Sequence, residues 1–533
     1  MKTINRILIL AVFPLLFAGC EGMLDTAPLG SIVTEEQKKA AAEANPELLA
    51  ADVAAMNADM IALYGVLGED YHNDFGYAAA CLYMDSNGAD MTCANVGYNW
   101  FSTNASFADR VYTGTRTLFM WSLFYKQILS ANLILGSVDK EVEDATLKAY
   151  RGQALAVRAF DYFSLAQTHQ FTYKGNESAK CVPIVTEKTT SEEAVNNPRA
   201  TVAAVYELIM GDLNEAITLL KGYKRMDKGY VDQAVAYGLR ARVNLVMNNW
   251  EEAASDADSA LLLSGASPYT LAQLSSPLFW NAADQNVMWA NIITENNDIV
   301  LTGIVNMPSH LCTFYTDGYV GVGAWKKINK PLYDKIETSD VRKGWWLDEN
   351  LASPVCTGSK YEDWFETASS DGDFGAYTNV KFGPDNDDLV TLVAAQDWFL
   401  MRAEEMILIK AEAEAMAGNL STGKSILEDF VKTYRNPAFT SRAATAQALQ
   451  DEVWFQRRIE FWGEGFSYYD IMRLKKPVVR VDNGVSSFPD AWKFNVPAED
   501  PILLWLVPKD EIEANKGITE SDNNAKVDPP RPL

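Results

Sequence analysis

Histidine is nearly absent: His72, His169 and His310 are the only three in 533 residues, and no two of them stand four apart. That excludes a metal centre of the HExxH type. Cysteine is also scarce, six in all, with no CxxC pair to suggest zinc or redox chemistry. Positive charge is short, because 46 Lys and Arg face 71 Asp and Glu and leave a net charge of −25. Nucleic acid needs a basic footprint that is missing here, and an anionic ligand would be repelled as well. A neutral or weakly cationic partner is therefore expected. Past the N-terminus, no run approaches the roughly 18 apolar residues of a membrane helix.

What is present begins with "MKTINRILILAVFPLLFAGC". Lys2 and Arg6 precede an apolar run from Ile7 to Phe17, which is too short to span a bilayer and reads as a secretory signal. Ala18-Gly19-Cys20 directly after the run resembles a bacterial lipobox, in which Cys20 is lipidated and becomes the first residue. Removing the signal leaves Cys81, Cys93, Cys181, Cys312 and Cys356 besides the anchor. A Cys81–Cys93 bridge and simple buried thiols are both open readings. Apolar residues make up 48% of the chain, which rules out disorder, and 14 Trp, 23 Tyr and 23 Phe supply many rings.

Helical periodicity dominates. In "NNWEEAASDADSALLL" the residues Trp250, Ala253, Ala254, Ala257, Ala260 and Leu261 form one stripe. In the preceding "DQAVAYGLRARVNLVM", Val235, Leu239, Val243 and Val246 form another, so the two segments read as an antiparallel helix pair. "DWFLMRAEEMILIKAEAEAM" reads as a long helix with Phe399, Ala403, Met406, Ile409, Ala413 and Met416 on one face. Val205, Ile209, Leu213, Ala216 and Leu220 mark a further helix whose "MGDLNEA" is either a turn or an interior glycine. Leu155, Ala159, Tyr162, Phe163 and Ala166 mark one more.

The stretch "GNLSTGKS" after the long helix fits G-x-x-x-x-G-K-[ST], the phosphate loop of nucleotide hydrolases. Such a loop must follow a strand, and this one follows a helix. Aligned without a gap on Asn248–Ala253, it becomes a repeat turn: Gly418-Asn419 turns the chain, and Gly423 is the small residue at which two helices pack closely. That is a tetratricopeptide-type pair. By contrast, segments near 70–115 and 265–395 are rich in Gly, Pro, Asn, Asp and aromatics and show little period. Long loops on a rigid scaffold are where binding tends to reside.

In this order, the lipobox followed by "LDTAP", then "QALAVRAFDYFSLAQ", "VPIV", "YGLRARVNLVMNNWEEA", "FLMRAEEMILIKAEAEAMAGN", "RRIEFWGEGFSYYDIMRLKK" and "LLWLVPKDEI" resemble the SusD/RagB family. The resemblance implies a fold that is all-α, a tetratricopeptide-like helix-pair scaffold with long irregular loops and a few short strands. It implies a signal peptide over 1–19, a lipidated N-terminus and tether over 20–45, and a single helical domain over 46–533. It further implies a non-enzymatic outer-membrane lipoprotein, facing the cell exterior, that captures glycans and passes them to a SusC-like TonB-dependent transporter. Some members take peptides instead, and a secreted helical glycosidase is the reading from another class. No cofactor, metal or nucleic acid is implied. The family's usual Asn-Pro-Gly-Tyr-like tail is replaced here by "NKGITESDNNAKVDPPRPL".

A glycan site wants exposed rings, since sugars present apolar C–H faces, with polar groups around them. "NVGYNWFSTN" offers Tyr98 and Trp100 beside Asn99, in a segment where family members often place stacking aromatics. "TDGYVGVGAWKK" offers Tyr319 and Trp325 among glycines that would let them protrude. Of Trp345 and Trp346, adjacent residues in an extended segment point to opposite faces, so at most one, taken as Trp346, would be exposed. Trp280 and Trp289 are expected in the core. In "RRIEFWGEGF", a glycosidase reading would need Glu460 and Glu464, but an internal ion pair of Arg457 with Glu460 suits the segment better. Asp373-Phe374-Gly375 matches a kinase motif without its companions. "SSDGDFG" and "GPDNDD" lack the spacing of a calcium loop and read as solvated turns.

Overall fold

The helices form where the apolar stripes repeat, and each stripe is buried. The computed structural model describes residues 35–368, 374–389 and 393–533. Cys20, the signal segment and Asp373 lie outside the described residues. The principal helices, in chain order, are α1 (Glu35–Ala44), α2 (Tyr77–Asn87), α3 (Thr115–Ser137), α4 (Ala145–His169), α5 (Val202–Leu219), α6 (Gln233–Met247), α7 (Trp250–Ser264), α8 (Ala403–Met416), α9 (Leu420–Tyr434) and α10 (Ala446–Glu460). From α3 to α9 each helix packs on the next, the stacking expected of helix-pair repeats. Val205, Ile209, Leu213 and Ala216 are buried along α5, and Val235, Leu239, Val243 and Val246 along α6. The "MGDLNEA" ambiguity resolves as one continuous helix through Gly211. Side-chain caps start the helices: Asp144 accepts the Thr146 and Leu147 amides at 2.8 and 3.0 Å, and Asp232 accepts the Val235 amide at 3.0 Å.

The repeat turn is as the spacing requires. α8 ends at Met416, Gly418 adopts φ +100°, and α9 starts at Leu420, so no strand leads into "GNLSTGKS". A Cβ on Gly423 would lie 2.4 Å from the Ala411 carbonyl oxygen on the facing helix. Gly423→Ala must push α8 and α9 apart, at a cost of about 1–3 kcal/mol. A lowered midpoint in thermal unfolding is the expected result, and an unchanged midpoint would contradict the packing role.

Three expectations need correction. Residues 35–44, placed in the tether, form α1, whose Ala42 packs with Leu49, Val138 and Leu147 while Lys39 pairs with Asp139 at 2.6 Å. The helix read from "DWFLMRAEEM" begins only at Ala403. Before it, Trp398–Arg402 is a strand paired antiparallel with Val287–Asn291, because its aromatic, large residues find a pleated partner in "VMWAN". Finally, α3 is long and apolar enough to cross a membrane by length and composition, although most of it is buried inside the protein. The five cysteines Cys81, Cys93, Cys181, Cys312 and Cys356 are free and buried. Trp289 is fully buried, as expected, and Trp280 is partly so.

The irregular segment between α7 and α8 leaves the helical array and returns to it, since α7 and α8 still pack together. Two three-residue strands, β1 (Met91–Cys93) and β3 (Lys326–Ile328), join it to the early loops; the Val287–Asn291 strand is β2 and Trp398–Arg402 is β4. β1 and β3 run antiparallel with Met91 opposite Ile328 and Cys93 opposite Lys326. The chain that leaves β1 and the chain that enters β3 therefore emerge side by side. That register sets the site.

Candidate functional site: an aromatic platform between two loops

The loop after β1 carries Tyr98 and Trp100, and the loop before β3 carries Tyr319. Their rings meet: Tyr98 lies 6.4 Å from Tyr319 between centroids, and Trp100 lies 6.2 Å from it, edge to face. Tyr98 is 56% exposed, Trp100 is half-buried and Tyr319 is 7% exposed. Tyr98 thus forms the outer surface, Trp100 the side and Tyr319 the base. Behind the base, Tyr319 stacks on His310 at 4.8 Å and His310 stacks on Phe75 at 5.4 Å. This column of parallel rings, offset and buried, fixes the platform against the core.

Two further residues complete it. His72 stacks on Trp100 at 4.9 Å, and its Nδ1 is hydrogen-bonded to the Tyr319 hydroxyl. Tyr64 lies 6.3 Å from His72. Burial lowers the His72 imidazole below its ordinary value, with Asp70 opposing. Burial thus favours the neutral imidazole, which can pair with the Tyr319 hydroxyl in either tautomer. Burial raises the Tyr319 phenol, and the Trp100 indole works against that rise. Burial likewise raises Tyr64. The hydrogen bond and the stack hold three rings of the platform in one orientation without any charge on them.

The other expected contacts are displaced from it. Asn99 is buried, with its side-chain oxygen accepting the Phe101 amide at 3.3 Å, so it shapes the loop. Trp325 is 3% exposed and meets Phe374 edge to face at 5.6 Å in a small core with Phe314, Tyr315 and Val320. Gly318 and Gly321 serve close packing instead of protrusion, a Cβ on Gly321 sitting 1.8 Å from the Thr316 carbonyl oxygen, and Gly323 supplies a turn at φ +96°. Trp346 is fully buried against Trp462 at 5.5 Å, and Trp345 is buried against Phe279 at 5.4 Å. The two tryptophans do face different partners, and both sides are covered. Asn99, Trp325 and Trp346 are structural.

Glu460 and Glu464 are sealed in a network with Arg342, Lys381, Arg402, Arg435, Asp340 and Glu404. Glu460 accepts from Arg435 at 2.7 and 2.8 Å, from Arg402 at 3.1 Å and from Arg342 at 3.2 Å. Glu464 accepts from Arg402 at 2.9 Å and Lys381 at 2.6 Å. These guanidiniums hold the Glu460 carboxyl far below its ordinary value, against the opposing effect of burial. Burial draws the Lys381 ammonium down to about 8. The expected partner was wrong, because Arg457 pairs with Asp470 at 2.7 Å instead of with Glu460. α10 ends at Glu460, so the two glutamates do not share a helix face.

Asp85 on α2 is also buried, and burial pushes its carboxyl up to about 7. An acid whose folded value is raised is costly once ionised, so its contribution falls as pH rises from about 4 through 7. Asp85→Asn keeps an oxygen for the Gly465 amide, now 3.0 Å away. It should raise the unfolding midpoint most at pH 8 and by clearly less at pH 5. Equal shifts at both values would contradict the burial effect.

Residues 51–245 match the family described as "Starch-binding associating with outer membrane", and residues 348–524 match the SusD family. This chain belongs to the SusD/RagB family. A SusD-like protein of Bacteroides ovatus is 23% identical over 492 residues, 88% of this chain and 82% of its own. A SusD-like carbohydrate binding protein from Bacteroides vulgatus matches in structure with a TM-score of 0.70 at 24% identity, over 92% of this chain and 98% of that one. A laminarin binding SusD-like protein matches with a TM-score of 0.61 at 18% identity, over 90% and 99% of the two chains. The SusD architecture is thus the tetratricopeptide-like helical fold described above.

Proposed function

We propose that this chain is a lipid-anchored outer-membrane protein, facing the cell exterior, that captures an oligo- or polysaccharide and delivers it uncut to a SusC-like TonB-dependent transporter. The observation that carries the reading is the Tyr98–Trp100–Tyr319 platform. Its rings come from two loops, are held by buried stacking, and end in an exposed tyrosine suited to a sugar's C–H face. The starch-binding description of the matched family and the laminarin-binding relative support a glycan as the ligand. Cys20 behind its apolar run supports the anchor. The sealed state of Glu460 and Glu464 removes the carboxylates a glycosidase reading would use.

Calorimetry of residues 21–533 against soluble polysaccharides and mixed peptides tests the reading, with an assay for new reducing ends alongside. Saturable heat with a glycan and no new ends is the expected result. Heat with peptides alone would transfer the scaffold to peptide capture, and new ends would make it an enzyme. In cells, Cys20→Ala should release the protein from the outer membrane and leave the transporter without its co-purifying partner. Retention of that variant in the membrane would contradict the lipid anchor.

A further inference from the structure

Lys326 is a buried cation with no carboxylate beside it. Its side chain is sealed at 1% exposure. Its described partners are the Ala324 carbonyl at 3.1 Å, the Cys93 sulfur at 3.6 Å and the face of Phe101 at 5.8 Å. A lone ammonium is costly to bury, so the sulfur is the natural counterpart of this nitrogen. Thiol with amine and thiolate with ammonium differ only in where one proton sits.

The fold places the pair. Cys93 stands directly opposite Lys326 in the β1–β3 register, where side chains are cross-strand neighbours. Cys93 also shares a small core with Tyr319 and Ala324, and Trp100 packs on that core. The nitrogen and the sulfur therefore meet beneath the ring platform. Among the described residues, Cys93 alone of the five free cysteines has a lysine nitrogen at hydrogen-bonding distance. It is also the most accessible of them, at 6% exposure against 3% or less for the others. Burial raises its thiol, and the neighbouring Lys326 charge opposes that rise.

We propose that Cys93 and Lys326 form a redox cross-link, in which a peroxide oxidises the sulfur and the Lys326 nitrogen then bonds to it. In the first step the Cys93 thiolate attacks one oxygen of hydrogen peroxide and the O–O bond breaks. The sulfur loses two electrons to become a sulfenic acid, the peroxide is reduced, and hydroxide leaves. That hydroxide takes a proton from the Lys326 ammonium to give water and a neutral amine. In the second step the amine attacks the sulfur, the S–O bond breaks, and the departing hydroxide leaves as water with a proton from nitrogen. Thiol, amine and one peroxide thus give a sulfenamide and two waters. The bond ties the strand from which the Tyr98–Trp100 loop departs to the strand that the Tyr319 loop enters.

The test treats residues 21–533 in the folded state with hydrogen peroxide, removes it with catalase, then unfolds, alkylates and digests the chain without reductant for mass spectrometry. A Cys93 peptide joined to a Lys326 peptide, lighter by two hydrogens than the sum of the two, is the expected product. Dithiothreitol should release it, because a thiol cleaves the S–N bond. Lys326→Arg keeps the positive charge and should abolish the joined pair, as should Cys93→Ser. Cys93 recovered as an alkylated thiol after peroxide would overturn the proposal. So would Cys93 recovered as sulfinic or sulfonic acid with Lys326 free, or the same mass loss confined to one peptide, with the sulfur on the Ala94 amide. These outcomes concern the bond alone, so its failure leaves the glycan reading of the platform untouched.

Discussion

Tyr98→Ala combined with Trp100→Ala should weaken glycan binding by about 30-fold or more, and Tyr98→Ala alone should leave the unfolding midpoint within a degree or two of the native protein. The size follows from the behaviour of central aromatic anchors, whose removal costs 2 kcal/mol or more, about 30-fold in affinity. The separation of binding from stability follows from burial. Tyr98 is more than half exposed, whereas Trp100 is half-buried, packs on the core and stacks on His72, so its removal also costs stability. Trp325→Ala and Trp346→Ala should show the reverse. Both rings are buried to within 3% and each leaves a large cavity, so a loss of about 3–5 kcal/mol of stability is expected. Tyr319 lies between these limits, because it is both the base of the platform and a partner of His72 and His310. Tyr319→Phe keeps the ring and removes only the hydroxyl on His72, so it should cost far less binding than Tyr319→Ala.

Arg402→Met should destabilise the scaffold by about 3–5 kcal/mol, because it strips one cation from a sealed set of carboxylates. Arg402 donates to Glu464 at 2.9 Å and Glu460 at 3.1 Å, and lies 3.1 Å from Glu404. All four residues are buried, so water cannot replace the lost partner. Arg402→Met with Glu464→Gln removes one charge of each sign and should recover part of the loss. The network also sets the acid response. Glu460 has a lowered folded value, so its contribution is complete above its ordinary value of 4.5 and drains away as pH falls below that. Denaturation melts at pH 7 and pH 3 verify this: native protein loses stability at pH 3, and Glu460→Gln loses much less between the two.

The scaffold was legible because its signal is repeated. Stripes at helical spacing over fifteen or more residues, followed by a turn and a small residue, could be aligned with themselves between 248 and 253 and between 418 and 423. Short elements carried no such signal. β1 and β3 are three residues each and pair across more than two hundred positions, so nothing local announced that Tyr98 and Tyr319 would meet. β4 was hidden by its neighbour: Phe399 continues the apolar stripe of α8 in register, and only pairing with β2 decides that it is a strand. For the site, composition identified the right loops and could not distinguish rings that face out from rings that face in. Trp325 and Tyr319 stand six apart in one glycine-rich stretch, yet one fills a side core and the other underlies the platform. His72 and Tyr64 were missed because histidine was weighed only as a metal ligand. "DYHNDF", at the edge of an irregular aromatic segment, was the available signal.

The most direct test of the platform is a crystal structure of residues 21–533 with an oligosaccharide that binds it. A sugar ring stacked on Tyr98, with Trp100 alongside, is the predicted result. A sugar lodged elsewhere, such as in the open groove beside Tyr333, Ser339 and Asp348, with Tyr98 bare, would contradict it.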